Sequence, residues 1–251
     1  MTELVILGTA ASVPDAEHDT VGLLLRGPEG VVLVECGGSP LYKTARLGID
    51  LEQVRSVILT HRHADHIYGL PMLVQGMWIG GREDTLRIYG PEETLQVARQ
   101  LLALFDLQDG AGAFPIEWRT ISRRQGQPVL EMGDVLVRAA PVDHGGLDVR
   151  ALRFDNAASG RSIVYSSDTH PCASLIELAA GADLLLQEAA GDFSNHTTPA
   201  QAADLARQAG VAELALIHYP VRGVDLETLR QEAAAFPGPV WLAQDGDVYT
   251  L

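Results

Sequence analysis

The chain has 251 residues, 47% of them hydrophobic and 20% charged, the balance of a folded protein able to bury a substantial core, which excludes disorder. Its net charge of −15 sets a field that repels polyanions, so long-range capture of RNA is disfavoured, though bound cations could still hold a small anionic substrate. Two cysteines, Cys36 and Cys172, are too few for a disulfide framework, and no apolar stretch reaches transmembrane length.

Met1 to Leu7 lacks the basic start and long apolar centre of a signal peptide, so a cytoplasmic protein without a membrane partner is expected. Glu3 to Leu7 reads as a strand, ended by the small-residue loop Gly8 to Pro14. Val21 to Leu25 and Val31 to Val34 form an antiparallel pair around Gly27-Pro28-Glu29-Gly30. A short helix is expected over Pro40 to Leu47, then a buried strand over Val57 to Leu59, then a helix over Ile67 to Ile79. Arg87 to Tyr89 is a strand. Pro91, Glu92 and Glu93 open a helix to about Phe105, with Leu95, Ala98, Leu101, Leu102 and Phe105 at helical spacing. Short strands follow at Ile116 to Ile121, Pro128 to Glu131, Val135 to Ala139, Val149 to Phe154 and Ser162 to Tyr165. Helices at Pro171 to Ala180, Pro199 to Gln208 and Leu226 to Phe236 then alternate with strands at Leu184 to Gln187 and Glu213 to Ile217, and two short strands finish the chain. Antiparallel strands followed by strand-helix alternation, twice over, give an α/β protein with two sheets face to face and helices outside. Nothing resembling a linker divides residues 1–251, so one domain is expected.

Three of the eight histidines fall within six residues, in Thr60-His61-Arg62-His63-Ala64-Asp65-His66 at the end of a strand. Imidazole nitrogen and carboxylate oxygen are donors that zinc and neighbouring metals accept, and alternating His61 and His63 can aim at one ion. Asp65 and His66 come too late in the loop to share it, which points to a second metal beside the first. His144, Asp168 and His218 each fall just beyond an expected strand, where the ends of one sheet edge converge on a crevice. Five histidines and two aspartates suffice for two ions with one bridging carboxylate. His18 is a candidate rim residue, and His170 has no support as a ligand.

His-x-His-x-Asp-His after a strand resembles the signature of the metallo-β-lactamase-fold hydrolases, whose αββα sandwich of two mixed sheets matches the element order. By that resemblance His61, His63 and His144 hold one metal, Asp65, His66 and His218 the other, and Asp168 bridges. The cofactors implied are two divalent ions, Zn2+ first, with Mn2+ or Fe open. Leu7 to Pro14, Asp65 to Pro71, Ile88 to Pro91, Leu185 to Ala190 and His196-Thr197-Thr198 resemble segments of ribonuclease Z and its relatives. That family's extra histidine maps to His196, a proton donor to the leaving oxygen, which Glu188 could orient. The alternative is that Thr197 or Thr198 caps the helix at Pro199 and His196 is incidental. Asp65 is either a ligand only or also a base toward water.

Two departures separate the chain from the enzymes of that family that mature tRNA. Where they carry a basic loop, this chain has Pro14-Asp15-Ala16-Glu17-His18-Asp19. His144 and Asp168 are only 24 residues apart, too few for their protruding arm. The expected activity is hydrolysis of a small or nucleotide-like phosphodiester by a metal-activated water. The alternatives are tRNA 3′ processing, or lactone, sulfate-ester or carboxyl-ester hydrolysis on the same site; a non-enzymatic metal-binding protein would have no reason to keep seven donors. Excess apolar surface over Ile67 to Ile79, with Leu70, Met72, Leu73, Met77 and Trp78, together with the resemblance, implies a homodimer through that region.

Overall fold

Residues 1–108, 114–193 and 195–251 are described by the structure, a computed structural model. The N-terminal apolar runs form β1 (Glu3–Gly8), β2 (Gly22–Gly27) and β3 (Gly30–Val34), antiparallel neighbours in that order. Leu4, Ile6, Leu23, Leu25, Val32 and Val34 pack toward a second sheet, while Val5, Leu24 and Leu33 pack in the cluster formed with the helices. Strands covered on both faces have no solvent side, which is why they read as continuous apolar runs.

β4 (Val54–Ile58), β5 (Leu86–Gly90) and β6 (Ile116–Thr120) continue this sheet in parallel from β3. The second sheet is built from β7 (Gln127–Met132), β8 (Val135–His144), β9 (Leu147–Asn156), β10 (Ser162–Tyr165), β11 (Leu184–Glu188), β12 (Glu213–Ile217) and β13 (Val240–Leu242). It too is antiparallel as far as β10 and parallel from there to β13. The final strand, β14 (Val248–Thr250), returns to the first sheet beside β1, making seven strands in each among the described residues. This is the expected αββα sandwich.

Outside the first sheet lie α1 (Pro40–Arg46), α2 (Ala64–Ile67), α3 (Leu70–Ile79) and α4 (Glu92–Ala103). The second sheet is covered by α5 (Ala173–Ala179), α6 (Pro199–Ala209) and α7 (Leu226–Glu232). The sequence fixes the ends of α6 well. Pro199 occupies the first turn, Thr198 and Gln201 cap each other reciprocally, and Gly210 adopts the left-handed conformation that ends the helix.

Three features depart from expectation. The segment over 67–79 is two helices, broken at Tyr68-Gly69, because Gly69 N–H donates to Cys36 O at 2.6 Å and a Cβ at Gly69 would lie 2.8 Å from that oxygen. Phe105 is not part of the apolar stripe: α4 ends at Ala103 and the ring is exposed. The two short strands expected at 135–139 and 149–154 are ten residues each, joined through Gly145-Gly146, both at positive φ. Pro141 lies beyond Ala139, where β7 leaves the ladder, and a proline is tolerated on such a free edge. The longer hairpin makes His144 the last residue of β8 rather than a loop residue.

Candidate metal centre

The loop after β4 carries His61 fully buried and His63 half-buried, and α2 then turns Asp65 and His66 inward. The ends of β8, β10 and β12 deliver His144, Asp168 and His218 to the same place. Asp168 stands in the middle. Its Oδ2 lies 3.7 Å from His61 Nε2 and 4.0 Å from His144 Nε2, and its Oδ1 lies 3.4 Å from His66 Nε2 and 3.5 Å from His218 Nδ1. His63 Nδ1 approaches His144 Nε2 to 3.3 Å, and Asp65 Oδ2 is 3.4 Å from His218 Nε2. Four overlapping donor sets result, among them His61, His63, His144 and Asp168, and Asp65, His66 and His218, each offering atoms within 4.8 Å of one another; Glu35 with His61 and His66, and His196 with Asp168 and His218, meet the same limit. All seven sequence-selected residues are brought together.

Within this cluster His61 Nε2, both ring nitrogens of His66, His218 Nδ1 and Asp168 Oδ1 are buried without a hydrogen-bond partner. Orphaned buried polar atoms are costly, and cations coordinated between them would satisfy all of these but His66 Nδ1, which faces Glu35, so the residues present fit divalent metal ions. Burial and the neighbouring His66 hold His61 well below the usual histidine value, and burial with His144 lowers His63, leaving both as neutral imidazoles. Asp168 and Glu35, by contrast, outweigh burial and hold His66 well above that value, so a cation there would have to displace its proton. Burial would raise Asp65 and Asp168, but the surrounding histidines hold both carboxyls well below their usual range.

His196 lies on the loop before α6, its ring 4.7 Å from that of His144 and 5.8 Å from that of His218. Its Nδ1 is 3.0 Å from Glu188 Oε1 at the end of β11. Glu188 is fully buried and also accepts from the backbone N–H groups of Thr169, Ala190 and Thr197 at 3.0, 2.9 and 3.1 Å. Four donors lock that carboxylate. Burial lowers the proton affinity of His196, but the hydrogen bond and charge of Glu188 outweigh it and hold the imidazolium above the usual histidine value. Thr198 caps α6 as well, so the capping reading and the placement of His196 beside the cluster both hold.

Residues 31–219 match the family described as the β-lactamase superfamily domain. A ribonuclease Z of Mycobacterium bovis is 30% identical over 274 aligned positions, which take in 98% of this chain and 96% of that protein. The chain belongs to the β-lactamase superfamily, in its ribonuclease Z-like branch. The metallo-beta-lactamase fold protein YhfI from Bacillus subtilis has 28% identity and a TM-score of 0.81 over 99% of this chain and 98% of its own. The short form of human tRNase Z shares the fold, with a TM-score of 0.79 and 22% identity over 99% and 98% of the two chains. These relatives make the chain a metal-dependent hydrolase.

Some parts of this ribonuclease Z-like site were not singled out in the sequence. Glu35, buried at the end of β3, accepts from Thr60 N at 3.1 Å and lies 3.2 Å from His66 Nδ1, close enough for its charge to steady that imidazole. Ser12 Oγ donates to Asp65 Oδ2 at 2.7 Å, and the Asn195 carbonyl is 2.9 Å from His144 Nδ1. The signal available was an acidic residue directly after a four-residue apolar run, Val31 to Val34. Strain marks the same region. Of the five non-glycine residues with positive φ among those described, Glu35, Ser167, Asn195 and His218 surround the centre, and only Asp106 does not. His18 is buried against Tyr219 with Nδ1 3.0 Å from Asp15, so it is not a rim residue, and His170 is exposed.

Gly37 shows how closely the superfamily loop is packed. A Cβ there would stand 1.6 Å from the Asp65 carbonyl oxygen. Gly37→Ala is therefore expected to destabilise the protein by on the order of 3 kcal/mol, read from urea unfolding, and to weaken metal binding because Asp65 must move. Unchanged unfolding and metal affinity would show that the loop yields freely.

Proposed function

We propose that the chain is a phosphodiesterase for small or nucleotide-like substrates, acting as one catalytic unit over residues 1–251. His61, His63 and His144 would hold one divalent ion, Asp65, His66 and His218 a second, and Asp168 would bridge, with zinc the best match to these donors. Ions bound there supply Lewis acidity that brings the pKa of water toward neutrality and neutralises charge on phosphorus-bound oxygen. Hydrolysis then places the water oxygen on phosphorus and breaks the bond to the departing alcohol. His196 gives that oxygen a proton from Nε2, while Nδ1 stays on Glu188. Asp65, whose Oδ2 accepts from Ser12 Oγ, would be a ligand and would also take the proton of the water.

The observation that carries this reading is the proton donor His196 set beside two complete donor sets, because an alkoxide leaving group gains most from such an acid. The small size of the substrate is supported by the acidic segment 15–19 and by the short link from β9 to β10, which leaves no room for an RNA-gripping arm. The alignment to the mycobacterial ribonuclease Z covers 274 positions although this chain has 251 residues, so that relative carries segments this chain lacks. tRNA 3′ processing is the second reading, favoured by the relatives themselves. A panel of bis(4-nitrophenyl) phosphate, 4-nitrophenyl sulfate, an aryl lactone and precursor tRNA with zinc-loaded protein separates these. Turnover of the diester with intact precursor tRNA is expected, and site-specific tRNA cleavage would hand the assignment to the ribonuclease.

The dimer proposal rests on Tyr68, Met72, Trp78 and Ile79, which stay exposed on and beside α3 in the single chain. A dimer is expected in sedimentation velocity, converted to monomer by Met72→Glu. A wild-type monomer would end the proposal.

A further inference from the structure

Beside the histidine cluster lies a cavity of about 580 Å3, within the size range of small-molecule sites. His196, His218 and Ser12 form its polar side, and Val13, Phe193, Pro220 and Val221 are among the apolar groups facing them, with Arg222 beside these. Val13 and Phe193 are exposed, so large apolar groups face open space next to a polar centre. Arg222 is exposed too, and it has no ion pair among the described residues. Arg62, Arg123 and Arg153 are held by Glu93, Asp148 and Asp155, and of the arginines that like Arg222 pair with no carboxylate among the described residues, Arg46, Arg82, Arg124 and Arg161 do not line this cavity. A free guanidinium at the edge of an apolar wall is an arrangement that suits a ligand with a flat apolar body and an anionic end.

The direction of the reaction says which part of the substrate this is. His196 supplies the proton of the departing oxygen, so whatever leaves must lie over His196, and His196 borders this cavity. We propose that the cavity is the leaving-group subsite and that the departing alcohol carries a flat apolar group, an aryl ring or nucleobase, bearing an anionic substituent. The flat group rests against Phe193, Val13 and Val221, and the anion pairs with Arg222. The inference rests on the phosphodiesterase reading and specifies its substrate class.

The test separates binding from turnover. Calorimetry of the zinc-loaded protein with benzyl methylphosphonate and 4-carboxybenzyl methylphosphonate should show the carboxylated ligand binding about tenfold tighter, the yield of one charge-assisted contact at an exposed arginine. Arg222→Ala should bring the two ligands within about twofold of each other, and Phe193→Ala should weaken both while keeping their ratio. Both side chains are exposed, so thermal unfolding of the variants should match the wild type. Equal binding of the two ligands by the wild type, or a preference that survives Arg222→Ala, overturns the proposal. Hydrolysis of bis(4-nitrophenyl) phosphate, measured on the same samples, reports on the phosphodiesterase reading alone. Its absence with the binding preference intact would remove the reaction and keep the subsite.

Discussion

Asp168→Ala is expected to lower hydrolysis of bis(4-nitrophenyl) phosphate by on the order of a thousandfold and to cut the zinc retained after dialysis. Asp168 is the one residue whose two carboxylate oxygens face different donor sets, Oδ2 toward His61 and His144 and Oδ1 toward His66 and His218. Removing a histidine such as His63 would open one set, whereas removing Asp168 opens both. The carboxylate is also the largest influence that lifts His66 well above the usual histidine value, ahead of Glu35 and against burial. Without it the cluster loses the counter-charge at its centre. His170, exposed two residues along, is the matched control, and His170→Ala should leave both activity and zinc content unchanged. If Asp168→Ala kept near-normal turnover, the reaction would not run at this centre.

His196→Ala should lower turnover by about 10²- to 10⁴-fold on a dinucleoside phosphate, whose leaving alkoxide needs a proton, and by less than about tenfold on a 4-nitrophenyl ester, whose acidic phenol leaves without one. KM should change little, because the proton moves in the transition state rather than in binding. The pH profile carries the same signature. An acid works while protonated, so kcat should fall as pH rises through its pKa. Burial lowers that pKa and the partnership with Glu188 more than restores it. Glu188→Gln takes away the charge that raises it, so the falling limb should move to lower pH. A matching thermal unfolding curve would confirm that the fold survives the exchange. Equal losses on both substrates, or a limb that stays in place in Glu188→Gln, would give His196 a structural role.

Much of the centre was legible because metal ligation demands few residue types at fixed spacings. His61, His63, Asp65 and His66 declare themselves within one loop, and His144, Asp168 and His218 follow from their places after apolar runs. The sandwich was legible for a related reason, since strands buried on both faces must be apolar throughout. Glu35, Ser12 and Asn195 were hidden because their contacts are set by tertiary folding: Ser12 meets Asp65 across 53 residues, and Asn195 meets His144 across 51. The length of β8 and β9 was hidden by Pro141 and Gly145-Gly146, local breakers whose effect depends on whether a neighbouring strand is present. Phe105 matched helical spacing but lay past the last turn of α4, where periodicity no longer implies a buried face.

Counting zinc is the most direct test of the central claim. After reconstitution and exhaustive dialysis, elemental analysis should find two ions per chain in the wild type, one in His63→Ala, and anomalous scattering should place both between the ends of β4, β8, β10 and β12. Zinc absent from the wild type, or bound away from Asp168, would contradict the account.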